Sequence, residues 1–253
     1  MRKIVLLLIA LLGAGVMPVF GAELHVAVAA NFSAPLQKLA PMYEQASGNM
    51  LIISPGSSGQ LYAQIKQGAP FDMFLSADTD KPRQLESEGL SVPDSRFIYA
   101  VGSLVLWSAK PGLVDKDGKI LKGKYHFLGV ANPQTAPYGT AAQQVLTRLG
   151  LWERLNHEHR IVIGENITQA WQFAATGSAD LAFVALSQVL GEDGKISGSS
   201  WRVPQSMYDP IEQSAVVIAS TLEQAAATAF ATWLRTDPAA LAAIRAAGYR
   251  TAN

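Results

Sequence analysis

Short apolar runs rich in β-branched and small residues alternate along this chain with segments whose apolar positions recur at helical spacing. LHVAVA (24–29) gives way to SAPLQKLAPMYEQASG (33–48), where Leu36, Leu39, Ala40 and Tyr43 share one face and Gly48 supplies a stop. MLIIS (50–54) precedes a short helical stretch LYAQIKQG (61–68), DMFLSA (72–77) precedes a helix from Asp80 to Gly89, and SLVLWSA (103–109) reads as a further strand. Beyond a charged, turn-rich segment at 110–124 the pattern resumes. FLGVANP (127–133), RIVIG (160–164) and DLAFVAL (180–186) are strands, interleaved with the helices AAQQVLTRLG (141–150) and TQAWQFAATG (168–177). WRVP (201–204) and SAVVIA (214–219) follow, and the chain ends in alanine-rich helices at 221–236 and 238–248. Such alternation confines the chain to an α/β fold with a largely parallel sheet, and the charged break puts a lobe boundary near 100–104.

The N-terminus reads MRKIVLLLIALLGAGVMPVFGA: two basic residues, an apolar run from Ile4 to about Val16, then small residues. A spanning helix needs about 18 or more apolar residues, and Gly13, Gly15 and Pro18 interrupt this run, so residues 1–21 are expected to be a secretory signal. A cut after Gly21 places Val19 at −3 and makes Ala22 the mature start; a cut after Ala22 would put bulky Phe20 there. There is no cysteine, which rules out disulfides, thiol chemistry and a lipid anchor through that residue. Removing Arg2 and Lys3 leaves 18 basic residues against 20 acidic, a formal −2 with no basic cluster, so nucleic acid is not an expected partner. Any anion must be captured by a few aimed donors.

Those donors are suggested where strands hand over to helices. Four handovers carry small or amide-bearing residues: AANFS (29–33), PGSSGQ (55–60), NPQTAPYGTAA (132–142) and GENITQA (164–170). A helix start presents unpaired N–H groups and the positive end of the helix dipole, so four that converge make an anion cradle without a cation. Each also has a local explanation: Ser58 capping a helix from near Gln60, Asn31 capping one from near Ser33.

Other chemistries fit less well. GKILKGKY (118–125) approaches a phosphate-loop spacing, but Tyr125 stands where Ser or Thr must reach magnesium, and no strand precedes it. NHEHR (156–160) sets two histidines two apart, which diverge on a helix, and it reads as a solvated turn rather than a metal pair. PGSSGQ lacks the Gly-x-Ser-x-Gly elbow, which leaves a periplasmic hydrolase using Ser58 as a lesser alternative. The five tryptophans occur singly in periodic segments and read as core.

Taken together, AVAANFSAPLQKLA, SSGQLYAQIKQGAPFDMFLSAD (57–78), NPQTAPYGTAA, GENITQA and ADLAFVALSQV (179–189) resemble the periplasmic molybdate-binding proteins that feed ABC-type importers. The resemblance covers essentially the whole mature chain. It implies a class II periplasmic-binding-protein fold with two α/β lobes, 23–102 plus 208–253 and 103–207, and a ligand cleft between them. It further implies an exported, periplasmic, monomeric protein without cofactor or catalysis, which binds molybdate or tungstate and serves a membrane permease. Carried over position by position, the first-loop residue, Ser in some members and Asn in others, falls on Asn31, with Ala30 beside it. The second-loop serine falls on Ser58, with Ser57 as neighbour, and the third and fourth positions fall on Tyr138 and Ile167. Ile167 can act only through its backbone N–H, and the same is expected of Tyr138. The chain departs from the family at Ala185, where some members place a Tyr hydroxyl on the oxyanion; the Asn31 amide or an N–H near Ala30 is expected to compensate. An unprotonated dianion wants donors only, and no Asp or Glu occupies the four centres. Glu165 is the nearby exception and is expected to point away. Sulfate, a smaller tetrahedral oxyanion, is the other ligand this chemistry admits.

Overall fold

The computed structural model describes residues 21–251, so the signal expected at 1–21 lies almost wholly outside the described residues. Ten strands form two five-stranded sheets. The strands are β1 (Glu23–Ala29), β2 (Met50–Gly56), β3 (Met73–Leu75), β4 (Phe97–Gly102), β5 (Leu104–Ser108), β6 (Leu128–Ala131), β7 (Ile161–Gly164), β8 (Leu181–Ala185), β9 (Ser199–Arg202) and β10 (Ile211–Val217). The helices are α1 (Ser33–Ser47), α2 (Ser58–Lys66), α3 (Asp80–Ser87), α4 (Pro137–Arg148), α5 (Trp152–His157), α6 (Ile167–Ala175), α7 (Leu186–Val189), α8 (Gln224–Thr236) and α9 (Pro238–Ala246).

The first sheet runs β2-β1-β3-β10-β4 and the second β7-β6-β8-β5-β9. Within each, three strands wound by helical crossovers are parallel: β1 with β2 and β3, and β6 with β7 and β8. The remaining pairings are antiparallel: β10 with β3 and β4, and β5 with β8 and β9. Neither sheet is therefore largely parallel, since each has two parallel and two antiparallel pairings. The chain crosses from one sheet to the other between Gly102 and Leu104 and returns between Arg202 and Ile211, and β5 and β10, each reached by a crossing, run against their neighbours. Apolar runs encode strands but not their direction.

Each sheet has its own core. Leu24, Val26, Phe32, Leu36, Met73 and Phe230 pack around the first, and Leu106, Val130, Leu146, Leu155, Leu181 and Phe183 around the second. The phosphate-loop lookalike is a surface turn that opens with a 3-10 segment, Lys119–Lys122, anchored by buried Leu121. Gly118 there has φ +68°, and a Cβ on it would collide with the Trp201 ring, so only glycine serves. NHEHR spans the end of α5 and an exposed turn with His159 at φ 53°, and no metal-holding group occurs among the described residues.

One end of the second sheet's three inner strands, β6, β8 and β5, is tied by Asp180. Its carboxylate accepts from Lys110 Nζ at 2.6 Å and from the His126 backbone N–H at 2.7 Å, and these donors hold its pKa down at about 2. A lowered folded pKa stabilises at pH above the unfolded value of 3.8 and loses that contribution as pH falls through about 2. Discounted for the exposed Lys110, the contribution is about 1–2 kcal/mol. Asp180→Ala is therefore expected to lower the thermal midpoint by about 3–6 °C at pH 7. Near pH 2 the two proteins should melt together in a calorimetric scan.

Candidate functional site

The four handovers lie at the C-terminal ends of parallel strands, β1 and β2 in one sheet, β6 and β7 in the other. Ligands of open α/β sheets bind at that end. Ala30, Asn31, Ser57, Ser58, Tyr138 and Ile167 line one pocket containing about 200 Å³ of empty space, part of it open to solvent. Ala29, Gly56, Ala77, Ala136, Pro137 and Asn166 complete the wall, which holds no carboxylate and no cation.

How each helix start satisfies its own N–H groups decides what faces this pocket. In α2 the cap is Ser57, not Ser58. Ser57 Oγ accepts from Gln60 N, while Gln60 Oε1 accepts from the Ser57 backbone N–H at 3.4 Å, which closes a capping box, and from Ser57 Oγ at 2.9 Å. Gly59 N–H goes to Thr135 O at 2.9 Å, and Leu61 N–H to Ser57 O. In α6, Asn166 Oδ1 accepts from the N–H groups of both Thr168 and Gln169. In α4, Pro137 has no N–H, and Gly139 and Thr140 donate to Ala136 O. The N–H groups of Ser58, Tyr138 and Ile167 take no part in these bonds. Capping thus consumes the neighbours and leaves one donor per helix for something else.

Ser58 adds a second donor. Its Oγ accepts from Ala77 N at 2.9 Å, which occupies a lone pair and leaves the hydroxyl hydrogen available. Asn31 behaves differently from expectation. It does not cap α1, and its amide nitrogen is committed to Gln213 Oε1 and Tyr249 OH, both at 2.9 Å. What Asn31 retains for the pocket is its backbone N–H at the start of a 3-10 turn, Ala30–Phe32. Ala185 is fully buried and donates its N–H to Gln188 Oε1, so nothing at that position replaces a tyrosine hydroxyl. Glu165 is exposed, and its backbone N–H is held by Gln169 Oε1.

Behind the pocket lies a buried polar layer of Tyr99, Tyr138, Gln213 and Tyr249. Burial pushes the Tyr99 and Tyr138 hydroxyls well above their usual range and Tyr249 up to about 12. No tyrosine here ionises near neutrality. A larger adjoining cleft, with about 770 Å³ of empty space, is lined by Asp78, Asp80, Asp209 and Glu212 against one cation, Lys81, and this acidic excess suits an anion poorly. Gln213 and Tyr249 escape sequence reasoning. Gln213 gives one signal, a polar residue inside the apolar strand IEQSAVV, whereas Tyr249 follows a helix end with no pattern around it.

The family model for bacterial extracellular solute-binding proteins matches residues 24–250. The chain belongs to that family. Within it, the chain is 50% identical over 246 residues to the molybdate-binding protein ModA of Azotobacter vinelandii, covering 96% of each protein. It is 47% identical over 235 residues to that of Rhodobacter capsulatus, covering 93% of this chain and 91% of the relative. The solved periplasmic molybdate-binding protein of A. vinelandii superposes with a TM-score of 0.90 at 48% identity, across 91% of this chain and all of that one. The two-sheet architecture is thus the family's periplasmic-binding-protein fold.

Proposed function

We propose that this chain is the periplasmic receptor that captures molybdate, and its near-isostere tungstate, for a membrane permease of an ABC importer. One observation carries the proposal: three helix starts, two capped by side chains and one opened by proline, each keep a single N–H unclaimed and meet in one uncharged pocket. Ser58 would supply its hydroxyl and N–H, Tyr138, Ile167 and Asn31 their backbone N–H groups, with Ala30 and Ser57 as wall. Hydrogen bonds to a charged group contribute about 1.5–3 kcal/mol each, so these five together exceed the ordering costs by enough for submicromolar capture. With no acceptor and no general base, the site favours an unprotonated dianion and binding without turnover. Rigid backbone donors would also select by size, since the smaller sulfate leaves some of them out of reach.

In this picture residues 23–102 with 208–253 form one lobe and 103–207 the other, and their closure reports occupancy to the permease. A monomer suffices, because both lobes belong to one chain. Export by a cleaved signal with Ala22 as mature start fits the first sheet: Ala22 N donates to Asn49 Oδ1 at 2.9 Å, and Ala22 O accepts from Met50 N. Calorimetry of the mature protein should show tight binding of molybdate and tungstate, and weak or no binding of sulfate and phosphate. Because burial raises the tyrosines behind the pocket, affinity should stay flat from about pH 6 to 9. Absence of heat with both molybdate and tungstate would remove the proposal.

A further inference from the structure

Gln213 is fully buried in the middle of β10, where an apolar side chain would serve the sheet as well or better. Both ends of its carboxamide are engaged. Oε1 accepts from Asn31 Nδ2 at 2.9 Å and from Tyr99 OH at 3.0 Å, and Tyr99 OH is also within reach of Ser76 O at 3.1 Å. Two donors on Oε1 fix the amide's orientation and aim Nε2 at Tyr138 OH, 3.3 Å away. Asn31, Tyr99 and Gln213 belong to elements of the first sheet, whereas Tyr138 lies on α4, packed against the second. This bond therefore spans the two lobes.

A second crossing lies beside it. Ser187 Oγ, on α7, donates to Asn31 O at 3.0 Å and lies 2.9 Å from Tyr249 OH, which itself donates to Asn31 O at 2.8 Å. Gly102, the last residue of β4 before the crossing, makes room for this layer. A Cβ there would run into the Tyr138 hydroxyl and Gln213 Nε2.

We infer that the Tyr138 hydroxyl and Gln213 form a buried latch that holds the lobes shut over the anion, with Tyr249 and Ser187 as further positioning residues. The inference rests on the binding function proposed above. None of Gln213, Tyr249 and Ser187 lines the pocket. Tyr138 joins both layers, because its N–H lies at the pocket and its hydroxyl at the latch. Opening the lobes would hand these groups to water, so the latch stabilises closure modestly, and its contribution falls on release rather than on capture.

Tyr138→Phe keeps the ring and the backbone N–H and removes only the hydroxyl. In stopped-flow fluorescence with molybdate, Tyr138→Phe and Gln213→Leu are each expected to raise the dissociation rate about 10-fold and leave the association rate within about 3-fold. The double variant should lose little more than either single one, because both remove the same bond. Ser187→Ala, a smaller change that tests the second crossing, is expected to accelerate release in the same sense. An unchanged dissociation rate in Tyr138→Phe, fully additive losses, or association slowing in step with release would overturn the latch. Small-angle scattering of the unliganded protein separates this from the function itself. A radius of gyration larger in Tyr138→Phe than in wild type supports the latch even if wild type binds neither molybdate nor tungstate; equal radii overturn it.

Discussion

Ser58→Asp should abolish oxyanion capture, with affinity reduced by at least about 10³-fold, while Ser58→Ala should cost about 10- to 150-fold. The alanine figure follows from losing one charge-assisted donor, about 1.5–3 kcal/mol. Aspartate reverses the sign of the interaction. A unit charge about 4 Å from another contributes about 4 kcal/mol at an effective dielectric of 20, and a dianion doubles it. The variant could escape only by protonating the carboxyl, which costs free energy at neutral pH and so still weakens binding. Aspartate keeps an acceptor for Ala77 N–H and alanine does not, so a larger loss in aspartate cannot come from that bond and reports the charge. Titration calorimetry alongside circular dichroism makes the measurement. Equal affinities for the two folded variants would mean that Ser58 does not face the anion.

Much of this arrangement was legible in the sequence because the local rules agree. The apolar runs that became β1, β2, β6 and β8 sit within a few residues of their expected places, since the first three are flanked by Gly, Pro or Asn where a chain must turn and the last begins just after Gly177 and Asp180. The pocket residues could be grouped because all follow strand ends, where topology brings helix starts together. What stayed hidden depends on partners distant in sequence. β4 reads FIYAVG with little alternation, and α5 is a six-residue helix with a polar composition. Ser57 and Ser58 are adjacent hydroxyls, and only the position of Gln60 Oε1 and Ala77 N separates the cap from the donor. Asn31 is the clearest case. Its amide is one of two donors expected there, beside an N–H near Ala30, and the amide is claimed by Gln213, 182 residues away, and Tyr249, 218 away. The strand directions were likewise set by the two crossings, which no periodicity records.

Ile167→Pro should weaken anion binding by about 10- to 150-fold, whereas Ile167→Val should leave it within about 3-fold. Proline deletes one backbone donor, and at most positions it would also break a helix. Ile167 is the first residue of α6, where proline's fixed φ suits the helix and the missing N–H breaks no helical bond. The preceding residue must tolerate proline, and Asn166, at φ −146° and ψ 176°, already lies in the extended region proline demands. Asn166 Oδ1 would still cap Thr168 and Gln169, so the helix start survives. The cost to folding is that of trimming a buried aliphatic side chain, about 0.5–1.5 kcal/mol for valine and somewhat more for proline. Affinity and stability therefore separate: valine perturbs the packing and keeps the donor, and proline loses the donor as well. A proline variant that melts a few degrees lower yet binds molybdate like wild type would show that the Ile167 N–H is not a ligand donor. Loss of binding in both variants alike would assign the residue's contribution to its side chain.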